Sequence, residues 1–355
     1  MEISTVLFNW YDYNKRDLPW RQTRDPYKIW LSEIIFQQTR INQGLEYYQK
    51  FVENFPSVHD LANADIDSVL KLWQGLGYYS RAGNLHAAAK DIAATYKGTF
   101  PSTYNQLIKL PGIGPYTAAA ISSLAFNLVH PVMDGNVLRV VSRWFAIDDP
   151  VNSSKGKKKI EQILSELIDT NEPGKFNQAI MEFGALFCKP QKPACNDCVF
   201  SKICMAFQQN RVVNFPVKLR NLKPKTRYFN YLVILNSIDN QTVVYLQKRN
   251  GKDIWKGLYD FPVIETAGHP DMDMLMKGQE WDRMAGKMNM NVSSVSKIYR
   301  HQLTHQKIFT RFIEITSPDK FQPENIPAIP VDIDDLQSYP IPRLIDKYLH
   351  DRGML

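Results

Sequence analysis

The chain has 355 residues, a formal net charge of +7 at pH 7, 44% hydrophobic residues and 22% charged residues. Its length suits two domains rather than one core. Its composition excludes an intrinsically disordered chain, and its basic balance favours an anionic partner. The segment from Met1 to Trp20 carries no basic start followed by an apolar run, so it does not read as a signal peptide. Asp25-Pro26 then supplies a helix cap with proline at the first helical position, and Ile34, Ile41, Leu45, Tyr48, Val52 and Phe55 follow at helical spacing. Further helices are predicted over about 66–76, 80–96, 116–129, 137–145, 157–168 and 176–187. Residues 110–133 contain no Asp, Glu, Lys or Arg, but Pro111, Gly112, Gly114, Pro115 and Pro131 confine the helical part to a length too short to span a membrane. Residues 211–227, with six basic residues, no acidic one and two prolines, read as a basic linker. Beyond it the pattern turns strand-like over 228–235, 242–247, 296–303 and 308–315, with one helical stretch near 272–288. An all-α region therefore precedes a smaller α+β domain.

All four cysteines of the chain, Cys188, Cys195, Cys198 and Cys204, fall in one window with the spacing C-x6-C-x2-C-x5-C. Thiolates this close in sequence converge on one centre with little loop-closure cost. Two disulfides suit a large chain without a secretory signal poorly. Spacing alone leaves zinc and an iron–sulfur cluster level. Lys189, Lys192 and Lys202 lie among the ligands and could present cations to phosphate, whereas Lys155, Lys157, Lys158 and Lys159 taken alone read as a solvated loop, since basic charge points to nucleic acid only in combination with motifs.

Leu110-Pro111-Gly112-Ile113-Gly114-Pro115-Tyr116-Thr117-Ala118 joins two helices through two glycines. Such a turn lets the backbone approach closely and aims the free N–H groups of a helix N-terminus outward, an arrangement suited to a phosphodiester as well as to plain tight packing. Twenty residues past Gly114 stands Asp134, which either caps the helix entered at Asn136 or leaves that task to Asn136 and keeps its carboxylate free. Glu33 has Ile29, Trp30, Phe36 and Gln37 as helical neighbours and no cation among them. An acid in uncharged surroundings has a raised pKa, as a general acid requires, although an isolated helical glutamate more often lies at the surface on an imperfect stripe.

Taken together, these motifs resemble the helix–hairpin–helix DNA glycosylases that carry an iron–sulfur cluster. Trp30-Leu31-Ser32-Glu33 with Gln37-Gln38-Thr39, Gly75-Leu76-Gly77-Tyr78-Tyr79-Ser80-Arg81 and Met133-Asp134-Gly135-Asn136-Val137 narrow the likeness to the MutY-type adenine DNA glycosylases, over nearly all of residues 5–210. The resemblance implies a [4Fe–4S] cluster on the four cysteines. It implies removal of adenine mispaired with 8-oxoguanine or guanine in duplex DNA by a monomer of the bacterial cytoplasm, acting on the nucleoid, with no membrane. Glu33 would protonate the base and Asp134 would stabilise the sugar cation, supported by Tyr116 and Asn136. Trp20, Arg21 and Gln178 would line the adenine pocket, Gln38, Tyr78 and Phe36 would enter or flank the mispair, and Gly112 and Gly114 would hold backbone phosphate. Relatives that also cut the strand carry a lysine where Tyr116 stands, so a monofunctional enzyme is implied. A glycosylase-lyase like endonuclease III and a non-catalytic lesion binder are the alternatives.

The likeness also sets the expected organisation: a catalytic region over 1–210, with a six-helix module at about 25–130 and a cluster module built from the N-terminal segment plus about 131–210, then the linker 211–227 and a lesion-recognition domain over 228–355. Trp255-Lys256-Gly257-Leu258-Tyr259-Asp260-Phe261-Pro262 looks like the turn of the Nudix-like domain that ends MutY proteins. Residues 263–290 lack the glutamate-rich helix a Nudix hydrolase needs for magnesium, so a binding role is implied. Leu303-Thr304-His305 stands where the family has Phe-Ser-His, keeping a hydroxyl but losing aromatic stacking. His301 and His305 read as surface strand residues.

Overall fold

In a computed structural model of the chain, the apolar stripe that begins at Asp25-Pro26 is carried by two helices, Pro26–Ile35 and Ile41–Asn54. The structure describes residues 2–219, 224–238, 241–285, 291–316 and 327–355. Asp25 starts the first helix by accepting the Tyr27 N–H at 2.9 Å. The break falls before Ile41, where Gln38 takes a left-handed φ of 59°. Two compact units result, Met1–Asn63 with Asn84–Asn221, and Ala64–Gly83 with Leu222–Leu355.

The first unit is helical. Helix Pro26–Ile35 buries Ile29, Trp30, Leu31, Ile34 and Ile35 and packs against helix Pro115–Phe126. That second helix is the uncharged stretch. Ala118, Ala119, Ala120 and Ile121 are buried, and it stops at Asn127, which is left-handed, three residues short of the expected end. No helix among the described residues is long and apolar enough to cross a membrane. A second layer joins helices Ile3–Asn14, Gly135–Trp144 and Pro173–Leu186 around Leu7, Trp10, Val141, Trp144, Phe176 and Phe183. Helix Ile3–Asn14 was not expected from sequence. Residues 211–219 also belong to this unit: Phe215 is buried and the Val151 N–H donates to the Val217 carbonyl at 3.0 Å. This half of the basic stretch is therefore packed structure. Of the upstream lysines, Lys155 and Lys159 pair with Asp149.

The second unit is built on one sheet whose described strands are β1 (Lys225–Ile238), β2 (Gln241–Lys248), β3 (Tyr259–Asp260), β4 (Val263–Thr266), β5 (Asn291–Val295), β6 (Tyr299–Gln302), β7 (Gln306–Thr316) and β8 (Ala328–Asp332). β1 and β7 run parallel, from Lys225 opposite Gln306 to Leu235 opposite Thr316, and the other pairings are antiparallel. Residues 229–234 of β1 are buried without alternation, because both faces of the central pair are covered. On one face Leu232, Ile234 and Ile313 meet Leu275, Trp281 and Met284 from helices Met272–Met276 and Gln279–Ala285. These two helices replace the single one expected near 272–288, of which 286–288 lie outside the described residues. On the other face Phe312 stacks on Tyr348 of helix Arg343–Asp351 at 3.9 Å. Helix Ile66–Leu72 sits in this unit, with Asp67 accepting from Lys248 Nζ at 2.5 Å and from the Tyr259 hydroxyl at 2.8 Å. The sequence reading had placed this helix with the all-α region.

Candidate active site

The Gly112–Gly114 turn and the end of helix Pro26–Ile35 enclose a pocket in the first unit. Gly112 has φ +73°, and a Cβ there would lie 2.6 Å from Asn84 Cβ, so both the turn and the packing demand glycine. Gly114 is the cap residue of helix Pro115–Phe126, whose first N–H groups have no intrahelical partner. Glu33, Phe36, Gln38, Tyr116 and Asp134 also line this pocket.

Glu33 stands on the last turn of its helix, and its Oε2 accepts the Tyr116 hydroxyl at 2.6 Å. Burial pushes its carboxyl up to about 7. The Tyr116 hydrogen bond and the Arg21 charge oppose that shift, and the negative charge of Asp134 adds to it. Glu33 is thus a proton donor poised near neutrality. Asp134, not Asn136, takes the helix cap. Its Oδ1 accepts the N–H groups of Asn136 and Val137 at 2.9 and 2.7 Å, and its Oδ2 accepts Asn136 Nδ2 at 2.7 Å. The expected alternative of a free carboxylate therefore does not hold: Asp134 is fixed by three donors, with lone pairs left over toward the pocket. Asn136 is oriented in turn, because its Oδ1 accepts from Arg139, which also binds the Cys188 and Gly184 carbonyls.

Chemistry that needs Glu33 protonated must slow as pH rises. The expected rate profile falls by about tenfold per unit above a midpoint near 7, the value to which Glu33 is raised. Single-turnover base release measured between pH 5 and 9 checks this; a flat profile across pH 7 would remove Glu33 from the role.

Other expected residues are distributed differently. Trp20 is buried behind Phe36, with ring centroids 4.3 Å apart, and is not a pocket wall itself. Arg21 is held by Glu182 at 2.8 Å and reaches Glu33 only through its charge, while Gln178 accepts the Tyr11 hydroxyl at 2.8 Å. None of the three lines the pocket beside Glu33. In the second unit Tyr78, half-exposed with φ +49°, shares a 2.6 Å hydrogen bond with Thr304. Tyr78, Trp255, Leu303, Thr304 and His305 line one pocket there. His301 is not a surface residue: its ring packs edge-on against Trp255 at 5.8 Å, and burial lowers its pKa.

The four cysteines are free thiols lining one cavity in the first unit, walled by Arg143, Trp144, Phe183 and Phe187. Arg143 Nη1 donates to Cys188 Sγ at 3.3 Å and to the Lys189 carbonyl at 2.7 Å, and the Phe200 N–H donates to Cys198 Sγ at 3.4 Å. Burial and the neighbouring sulfurs push the Cys198 thiol up to about 11, and Cys195 and Cys204 upward as well. Ionising these three therefore requires a strong positive centre beside them. Among the described residues no three His, Cys, Asp or Glu side chains are grouped to hold a single metal ion. The sulfurs instead surround a cavity. Sequence reasoning missed Arg139, Arg143 and Glu182, all buried. The signal for the arginines is their i, i+4 spacing on the helix that follows Asp134, among its apolar positions.

Comparison with known proteins follows these divisions. Residues 31–170 match the HhH-GPD superfamily of base excision DNA repair proteins, and residues 230–351 match the NUDIX domain. The adenine DNA glycosylase of Buchnera aphidicola subsp. Acyrthosiphon pisum is 33% identical over 353 residues, covering 98% of this chain and 97% of that protein. The adenine DNA glycosylase of Homo sapiens is 41% identical over 332 residues, covering 79% of this chain and 61% of that one. Among solved structures, a thermostable thymine-DNA glycosylase superposes with a TM-score of 0.54 at 29% identity, over 58% of this chain and 95% of its own. A non-covalent endonuclease III–DNA complex gives 0.51 at 21% identity, over 58% and 94%, a likeness of fold.

Proposed function

This chain belongs to the adenine DNA glycosylase family, and from that membership we propose that it excises adenine mispaired with 8-oxoguanine or guanine in duplex DNA and leaves the backbone uncut. The observation that carries the chemistry is the pairing of Glu33, raised to about 7, with Asp134, fixed at a helix cap in the same pocket. Adenine must leave the base stack to reach that pocket, at an unstacking cost of a few kcal/mol. Glu33 protonates adenine N7, so that the bonding pair of the C1′–N9 bond departs with a neutral base. Asp134 stabilises the oxocarbenium ion left behind, and a water adds to it to give the abasic sugar, its proton passing to the Glu33 carboxylate and restoring the acid. Tyr116 orients Glu33 through its hydroxyl and has no amine to form a Schiff base with the sugar. Phe36 and Gln38 flank the entrance, Trp20 backs Phe36, and Arg21 acts on Glu33 through its charge. The backbone around Gly112 and Gly114 takes a phosphate.

We propose that Cys188, Cys195, Cys198 and Cys204, which line one cavity, would hold a [4Fe–4S] cluster. When bound it would supply the positive centre that lets these thiols ionise, and so would tie together the loop that carries Lys189 and Lys192. Iron and acid-labile sulfide in equal amounts is the expected analysis of purified protein; zinc alone would overturn the assignment. The protein is proposed to act as a monomer.

Incubation with duplexes carrying A opposite 8-oxoguanine, G or T, analysed with and without hot alkali, tests the activity. Cleavage only after alkali, and only for the first two, is expected. Absence of adenine release would refute the function, and cleavage without alkali would refute the monofunctional reading. The second unit is proposed to recognise 8-oxoguanine, with the Thr304 hydroxyl bonding the lesion. Thr304→Val should therefore lower the preference for 8-oxoguanine over guanine by about five- to tenfold, the worth of one or two hydrogen bonds, while adenine release opposite guanine stays within about twofold. An unchanged preference would exclude Thr304 from lesion reading.

A further inference from the structure

We propose that Glu182 is a positioning residue for base excision: its buried carboxylate holds the Arg21 guanidinium in the place from which its charge acts on Glu33. The inference rests on the reading of Glu33 as the general acid.

Glu182 lies on helix Pro173–Leu186 with its side chain 1% exposed. A carboxylate there is tolerated only if its oxygens are fully paired. Five donors converge on it: Arg16 N, Nε and Nη2 at 2.9, 2.8 and 2.5 Å, and Arg21 Nη1 and Nη2 at 2.9 and 2.8 Å. Arg16 alone supplies three of these and satisfies both oxygens. The second guanidinium is therefore not needed to neutralise Glu182; Glu182 is what fixes the second guanidinium. Two cations on one anion leave one positive charge in excess. Arg21 is the more enclosed of the two, its side chain 13% exposed against 35% for Arg16. Its fork is further set by the Arg16 carbonyl at 3.2 Å and by the Tyr11 ring at 5.7 Å. Tyr11 in turn donates to Gln178, one turn before Glu182 on the same helix. Arg21 and Gln178 are thus held by one network.

The charged groups that bear on the acid are few. Tyr116, Asp134 and Arg21 act on Glu33, while Arg16, Arg21 and Tyr11 surround Glu182. Asp12, Lys15 and Lys175 share the opening beside Arg21 and pair with one another. Arg21 is the one cation that lowers the Glu33 carboxyl, against burial and Asp134.

The test is single-turnover adenine release as a function of pH for wild type, Glu182→Gln, Arg21→Met and the double variant, with duplex binding measured in parallel. Removing the anion frees Arg21 from its fork-to-fork seat. Glu182→Gln should lower the rate about ten- to a hundredfold, leave the duplex Kd within about threefold, and move the falling limb to higher pH by about half a unit, because Glu33 loses its nearby cation. In the Arg21→Met background the same change should add nothing. An additive loss, an unmoved limb or a limb moved to lower pH would each overturn the proposal. If Glu182→Gln does not fold, Glu182→Asp decides: it keeps the charge, withdraws it by one methylene, and should move rate and limb the same way by less. A wild-type protein that releases no adenine would refute the function itself and is distinguishable from all of these.

Discussion

Glu33→Gln is expected to lower single-turnover release of adenine opposite 8-oxoguanine by between about 10² and 10⁴-fold, the usual contribution of a positioned general acid. Glutamine keeps the shape of the side chain and can still accept the Tyr116 hydroxyl, so the 2.6 Å hydrogen bond has a successor. What it cannot do is give up a proton to N7, and adenine then has to leave as an anion. Duplex binding should remain within a few-fold of wild type. The fold should become no less stable, since burial already disfavours the charged form of Glu33. A residual rate within tenfold of wild type would show that the proton comes from elsewhere.

Asp134→Asn separates charge from structure. Asparagine is as good a helix cap as aspartate, so the N–H groups of Asn136 and Val137 keep an acceptor and stability should fall by no more than about 1 kcal/mol. Part of that loss arises because an amide at Oδ2 would face Asn136 Nδ2, and Asn136 cannot turn while Arg139 holds its Oδ1. The negative charge facing the sugar is gone, however, and loss of a preorganised electrostatic partner costs about 10² to 10³-fold in rate, or about 2.7 to 4 kcal/mol. Thermal unfolding and single-turnover kinetics on the same preparation check the contrast. If the melting point collapses along with activity, Asp134 is chiefly a cap; near-normal release would remove it from the reaction.

Buried charge is where sequence reading was weakest in this chain. Glu182, Arg139 and Arg143 are at most 8% exposed, although a charged side chain on a helix is ordinarily expected at the solvent face. Their partners, Arg21, Asn136 and Cys188 among them, are fixed by helix packing rather than by any local pattern. Helix Ile66–Leu72 shows the same limit at the scale of domains. Its periodicity is helical, but Asp67 is claimed by Lys248 and Tyr259, nearly two hundred residues on, and it joins the second unit. His301 reads as exposed because a lone histidine on a strand usually lies at the surface, yet it packs against Trp255, whose own φ is left-handed.

The amino-acid sequence by itself determined what is local: four cysteines within seventeen residues, a two-glycine turn between helices at Gly112 and Gly114, a tyrosine at 116 instead of an amine, and an acid without a cation among its helical neighbours at Glu33. Such features are legible because their physics acts over a few bonds or one helical turn. Only the tertiary structure decided that Asp134 rather than Asn136 takes the cap, and that Tyr116, 83 residues away in sequence, is the hydrogen-bond partner of Glu33. It also decided that the buried Glu182 carboxylate pairs with both Arg16 and Arg21. These are contests between equivalent residues or between distant charges. They are settled by which groups share a water-excluded space, and packing alone creates that space.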